Sequence, residues 1–230
     1  MEKVMCGRTL VSESKELAKK AGVEEGGTAQ EKDNNRPPGS EMPVILDARP
    51  GKLHYVRWGL IPNNATEKPK YSTTYAKVET MQSLPTYRNL VGKRHCVFVI
   101  EGFYEWYRSG ENKKPFFFQR KDKGLIYCAG LWDTWKDPAT GIVIPSCTML
   151  MQPANDFMLA IHDRMPCILT QAEASTWLDK SLNVIDRLKV LKAVPNDLLE
   201  GWPVDQKMNN FRVKDDNNNS PCGPDLTLFD

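Results

Sequence analysis

His95 to Arg108 reads HCVFVIEGFYEWYR, a run of β-branched and aromatic residues that favours extended chain over helix. Three more runs of the same character follow: KPFFFQRK (114–121), LIYCAGLWDTW (125–135) and GIVIPSCTMLMQ (141–152). The polar segments SGENKK, KDKG and KDPATG separate them. Short turn-forming connections between β-rich runs predict an antiparallel meander. Upstream, MPVILDARPGKLHYVRWGLIP (42–62) places two further β-rich runs around Pro50-Gly51, a turn signal that predicts a hairpin. Helices are predicted at the two ends. SESKELAKKAG (12–22) offers Ser12 as a cap and Gly22 as a stop. NDFMLAIH (155–162) is short, and TQAEASTWLDK (170–180) carries Thr170 and Glu173 in capping-box spacing. In NVIDRLKVLKAV (183–194), Val184, Leu188, Leu191 and Val194 fall on one helical face. EEGGTAQEKDNNRPPGSE (24–41) reads as a surface loop and KDDNNNSPCGPDL (214–226) as turns. The expected fold is one α+β domain with a central, mostly antiparallel sheet and flanking helices.

The 230 residues, 40% of them hydrophobic, are enough to bury a sizeable core. A net charge of +2 gives no global attraction to polyanions, so any nucleic-acid site is a local groove. The six cysteines show no Cys-x-x-Cys spacing, and neither a metal site nor a cofactor is expected. No apolar run reaches the ~20 residues of a membrane span. The reading is a cytoplasmic protein with reduced thiols.

Three histidines are present. His54 and His95 lie in or at the entry to strands and read as structural or solvated, whereas His162 falls in the polar cluster IHDRMP (161–166), between a helix and an apolar segment. Glu105 interrupts an aromatic strand. Alternation puts Phe103, Glu105 and Tyr107 on one face and Tyr104 and Trp106 on the other. A carboxylate there is either a desolvated acid or base with a raised pKa, or an edge-strand glutamate facing water. Arg57, Trp58, Tyr75 and Lys77 interleave charge with aromatic rings, as a groove for single-stranded nucleic acid requires, although Trp58 fits a core position equally well. Trp132, Trp135, Trp177 and Trp202 read as packing residues.

MCGR (5–8), RWGLIP (57–62), YAKVET (75–80), EGFYEW (101–106), AGLWDTW (129–135), IHDRMP (161–166) and NNNSP (217–221) occur in the order and spacing of the SRAP family, the SOS response-associated peptidase domain. The chain resembles that family from Cys6 to about Pro221. The resemblance implies a barrel-like core and a protein that recognises abasic sites in single-stranded DNA and attaches covalently to them through an N-terminal cysteine; the sequence shows no coiled-coil heptads, so a monomer is expected. On this resemblance Cys6 is the nucleophile, Glu105 assists proton transfer, and His162 assists sugar ring opening and crosslink release. Arg8 and Arg57 make phosphate or structural contacts, and Asn218 matches a family asparagine. The implied domain is 6–230, with residues 1–5 a leader that is removed. Removal of Met1 alone would expose Glu2, so either translation starts at Met5 or the protein cleaves the Met5-Cys6 bond itself.

Three DNA-side features depart from the family pattern. Tyr75 and Lys77 stand where an asparagine and an arginine are usual, Asn63-Asn64-Ala65 replaces a stretch that commonly holds a tryptophan, and NNRPPG (34–39) alters a Tyr-Asn-x-x-Pro segment. The competing readings are a thiol peptidase and a non-catalytic single-stranded DNA binder.

Overall fold

The computed structural model describes residues 7–70, 72–109 and 112–222. In chain order the strands are β1 (Arg8–Val11), β2 (Glu24–Glu25), β3 (Asp33–Arg36), β4 (Glu41–Leu46), β5 (Arg49–Trp58), β6 (Tyr75–Lys77) and β7 (His95–Ile100). They continue with β8 (Gly102–Ser109), β9 (Asn112–Arg120), β10 (Ile126–Lys136), β11 (Val143–Pro153), β12 (Arg164–Pro166), β13 (Ile168–Leu169) and β14 (Leu199–Pro203). Four short helices, α1 (Ser14–Ala21), α2 (Asp156–Leu159), α3 (Gln171–Leu178) and α4 (Val184–Leu188), and a 3-10 turn over Gln206–Asn209 complete them.

The expected barrel-like core is present. β11, β10, β7, β4 and β5 are neighbours in that order, and a parallel pairing of β5 with β11 (Arg57 with Ser146, Trp58 with Cys147) closes the circle. Period-two alternation then divides the side chains. Val44, Val56, Trp58, Phe98, Cys128 and Met149 pack in one cluster. Ile45, Val97, Val99 and Leu131 form another with α1 and α3, through Leu17, Ala18, Ala174 and Trp177. A second sheet, in the order β14-β9-β8-β1-β3, lies beside the barrel.

The four β-rich runs do not form one meander. The opening stretch 95–108 bends at Glu101, so that β7 joins the barrel while β8 enters the second sheet between β1 and β9. Gly102 permits this change of sheet, because a Cβ there would overlap the Phe117 ring and the Phe118 carbonyl. The β8–β9 hairpin is an excursion, and β10 returns to pair with β7.

The β4–β5 hairpin turns at Asp47-Ala48, three residues before the expected Pro50-Gly51. Asp47 fixes the earlier turn. Its N–H donates to the His95 carbonyl (2.9 Å), and its carboxylate accepts the His95 N–H (3.0 Å) and the Trp132 indole (2.9 Å). The same carboxylate pairs with Arg187 at 3.4 Å, both side chains being almost wholly buried. Arg187 also donates to the carbonyls of Trp177 and Gly92. The predicted helix from Val184 to Val194 is cut short: α4 stops after Leu188, Val184 is exposed and Arg187 is buried, while Leu188 and Leu191 still pack against the core and Val194 is buried. Ser12 does not cap α1. Glu13 occupies the N-cap without a side-chain bond, and the Ser12 hydroxyl donates to Glu101 (2.6 Å). Gly22 at φ 69° does end the helix, and Thr170 with Glu173 forms the predicted capping box.

Removing one partner of a buried ion pair strands the other charge. Asp47→Ala is therefore expected to destabilise the fold by about 3–5 kcal/mol, read as a lowered urea midpoint. His95 belongs to the same network. Its Nδ1–H donates to the Trp177 carbonyl (2.9 Å), Nε2 accepts the Gly92 N–H (2.8 Å), and the ring stacks on Trp177 at 3.6 Å. Both nitrogens are satisfied in the neutral form. Burial, aided by the Arg187 charge, pulls the pKa down to about 3. Between that value and an unfolded pKa of about 6.5 the unfolded chain binds the extra proton, so acidification weakens the fold. From pH 7 to pH 5 His95 is expected to contribute a loss of roughly 2 kcal/mol. Urea unfolding at the two pH values should show that difference shrinking in His95→Asn.

Candidate active site and nucleic-acid interface

Glu105 is 1% exposed. β8 is an interior strand of its sheet, which excludes an edge-strand glutamate facing water. Directly opposite on β9 stands Phe116, and Phe103 precedes Glu105 on the same face. Oε1 accepts the N–H of Trp106 at 3.0 Å. Tyr107 emerges from the sheet at 43% exposure, so the aromatic face is closed at Phe103 and open at Tyr107. On the other side β1 runs antiparallel to β8, with Thr9 opposite Phe103 and Arg8 opposite Tyr104. Continued by one residue, that register puts the buried Gly7 opposite Glu105. Cys6, the residue bonded to Gly7, lies outside the described residues.

His162 is buried in the turn after α2, where its N–H donates to the Met158 carbonyl (2.9 Å). The Arg164 N–H donates to His162 Nδ1 at 3.1 Å, which leaves the proton of the neutral ring on Nε2. Asp163 Oδ1 also stands 3.1 Å from Nδ1, a ready partner when that nitrogen gains a proton. Residues near the histidine and the glutamate belong to one apolar cluster: Met158 and Ile161 before His162, and Phe103 and Phe116 beside Glu105, with Tyr75 packed against the same cluster. β11 sets this arrangement by pairing with β6 at Tyr75–Lys77 and with β12 at Arg164–Pro166.

The expected DNA-contact residues divide by exposure. Trp58 is fully buried, with its indole donating to the Thr74 carbonyl (3.1 Å) and its ring meeting Tyr75 edge-on at 5.6 Å. It supports Tyr75 and offers no face to a base, which corrects its place in the groove. Asn218 is also fully buried. Its amide donates to the Val213 carbonyl (2.9 Å) and braces the loop that follows Asn210. Lys77 is exposed. Arg57 donates to the Gly39 carbonyl (3.1 Å) and lines a groove of about 260 Å³ with Gly59, Lys68, Ser72 and Thr73. Half-buried Arg8 donates to Asn35 Oδ1 and the Met208 carbonyl, both at 2.9 Å. Burial pulls its guanidinium below the ordinary value, opposed by Tyr75 and Asp33.

The family profile described as SOS response associated peptidase (SRAP) matches residues 5–211. The chain belongs to the SRAP family. It is 32% identical over 224 residues to the abasic site processing protein YoqW of Bacillus subtilis, covering 94% of this chain and 97% of that protein. It is 31% identical to the abasic site processing protein HMCES of Xenopus tropicalis, of which it spans 64%. A crystal structure of a Bacteroides thetaiotaomicron protein superposes with a TM-score of 0.84 at 21% identity, covering 94% of this chain and 98% of the other.

For a SRAP chain the remaining thiols matter as much as the motifs. Burial pushes Cys96, Cys128 and Cys147 far above the ordinary thiol range and Cys167 up to about 12, so these four are not nucleophiles. Among the described residues no group of three His, Cys, Asp or Glu side chains is placed to hold a metal, and no helix is long and apolar enough to cross a membrane. The sequence reading missed Asn35. Segment 24–41 is not all surface loop, because β3 buries Asn34, Asn35 and Arg36. The Asn35 amide donates to the carbonyls of Asn210 and Val213, both at 3.1 Å, besides accepting from Arg8. A polar Asn-Asn-Arg run gives no apolar period to signal such burial.

Proposed function

We propose that this chain processes abasic sites in DNA and does so covalently, through the α-amine and thiol of Cys6 once residues 1–5 are gone. The ring-opened abasic sugar presents an aldehyde. The Cys6 amine adds to it, giving a carbinolamine that loses water to form an imine, and the thiolate then adds to the imine carbon and closes a five-membered thiazolidine. The free amine is well suited to this step, since its reference pKa of about 8 leaves a reactive neutral fraction near pH 7. Glu105 takes the proton from the attacking amine and returns it to the departing hydroxyl. His162, carrying its proton on Nε2, donates to the sugar oxygen during ring opening and reverses that transfer on release.

The observation that carries this reading is the desolvated carboxylate of Glu105 in register with Gly7, the residue after the proposed nucleophile. Arg57 and Lys77 are proposed to meet the phosphates, with Tyr75 and Arg8 nearer the sugar. Lys77 supplies charge without the bidentate fork of an arginine. Incubation with abasic single-stranded DNA should give an adduct stable in denaturing gels, and borohydride reduction of the aldehyde beforehand should prevent it. Equal adduct from both DNAs would exclude the imine route.

The family's description as a peptidase and the five residues ahead of Cys6 favour one further activity, cleavage of the Met5-Cys6 bond by water with Cys6 as nucleophile. Terminal sequencing of the purified chain tests it: a Cys6 terminus that forms without DNA supports self-cleavage, and a persistent Met1 terminus overturns it.

A further inference from the structure

The 3-10 turn and the loop after it carry an exposed aromatic on a braced backbone. Phe211 is 46% exposed. The Asn35 amide, itself fully buried, holds the carbonyls of Asn210 and Val213 on either side of it, and the Arg212 N–H is fastened to Asn210 Oδ1 (3.1 Å). Two cations stand over the ring, Arg8 at 5.9 Å and Arg212 at 5.5 Å. Arg8 also lies over Trp106 at 5.6 Å, and the Trp106 indole donates to Asn209 Oδ1 (2.6 Å), so the second ring is held by the same turn. The nearby carboxylates are occupied: Asp215 by Lys207, Asp33 by Lys214 and Asp216 by Lys32. Arg212 is exposed and makes no ion pair among the described residues.

We propose that Phe211 and Arg212, backed by Arg8 and Trp106, form a stacking subsite for a nucleobase of single-stranded DNA next to the abasic nucleotide. This deepens the proposed function and rests on it. Exposed aromatic rings interleaved with arginine are what unpaired bases bind, because every base has a π-face and every linkage a charge. The base lies on the Phe211 ring, and Arg212 leaves the ring to meet the adjoining phosphate. The position along the chain fits a neighbour of the lesion. Arg8 is two residues from Cys6, and Trp106 follows Glu105.

The test measures binding by fluorescence anisotropy with the full chain and single strands containing a tetrahydrofuran abasic analogue, which has no aldehyde and isolates the non-covalent step. Two companion strands lack the neighbouring base as well, one on the 5′ side and one on the 3′ side. Wild type is expected to lose affinity by about tenfold when one of these bases is removed. Phe211→Ala should bind the parent strand about tenfold more weakly and no longer sense that base, and Phe211→Trp should restore both. Wild-type affinity in Phe211→Ala, or equal weakening on all strands without rescue by Phe211→Trp, overturns the subsite. A wild-type chain that forms adduct with aldehyde-bearing DNA while Phe211→Ala binds normally removes only the subsite. Absence of any adduct with wild type removes the proposed function beneath it.

Discussion

Glu105→Gln is expected to slow adduct formation with abasic single-stranded DNA by about 10²–10⁴-fold, the range supplied by a positioned general acid or base, while leaving non-covalent binding to a tetrahydrofuran strand within twofold or so. Glutamine keeps the shape of the side chain and its oxygen can still accept the Trp106 N–H. It cannot accept a proton from the attacking amine. Measuring the urea midpoint of the variant beside that of the wild type separates chemistry from stability. Adduct formation at the wild-type rate would take Glu105 out of the reaction.

Cys6→Ala should abolish the denaturant-stable adduct altogether. No other thiol can substitute. Cys96, Cys128, Cys147 and Cys167 are buried with raised pKa values. Cys222 is exposed, but its nitrogen is locked in a peptide bond and donates to the Pro203 carbonyl, so it cannot close a thiazolidine. Affinity for the tetrahydrofuran strand should persist in Cys6→Ala. A stable adduct in that variant would move the chemistry to another residue, and peptide mapping of the adduct would locate it.

The β-rich composition and the family's seven motifs were legible in the sequence, as were Thr170 with Glu173 and the stop at Gly22, because each depends on neighbours a few residues away. The turns and partners set by distant residues were not. Pro50-Gly51 is a sound local turn signal, yet Asp47 turns the chain earlier by bonding His95, Trp132 and Arg187, none of which is near it in sequence. The stretch 95–108 looked like one strand, and what splits it is the approach of Phe117, on the neighbouring strand β9, to Gly102. Glu105 was visible as a carboxylate among aromatics. Whether it faced core or water depended on β1 and β9 flanking it, which alternation within β8 does not encode. Trp58 and Asn218 matched motifs by position, and their burial assigns them to support.

Intact-mass measurement of the purified chain, before and after incubation with an abasic single strand, tests the central claim most directly. The expected result is a free protein beginning at Cys6 and a product whose mass is the sum of protein and DNA less one water, as imine formation followed by ring closure requires. A chain that keeps Met1 to Met5 and gains no DNA mass would contradict it.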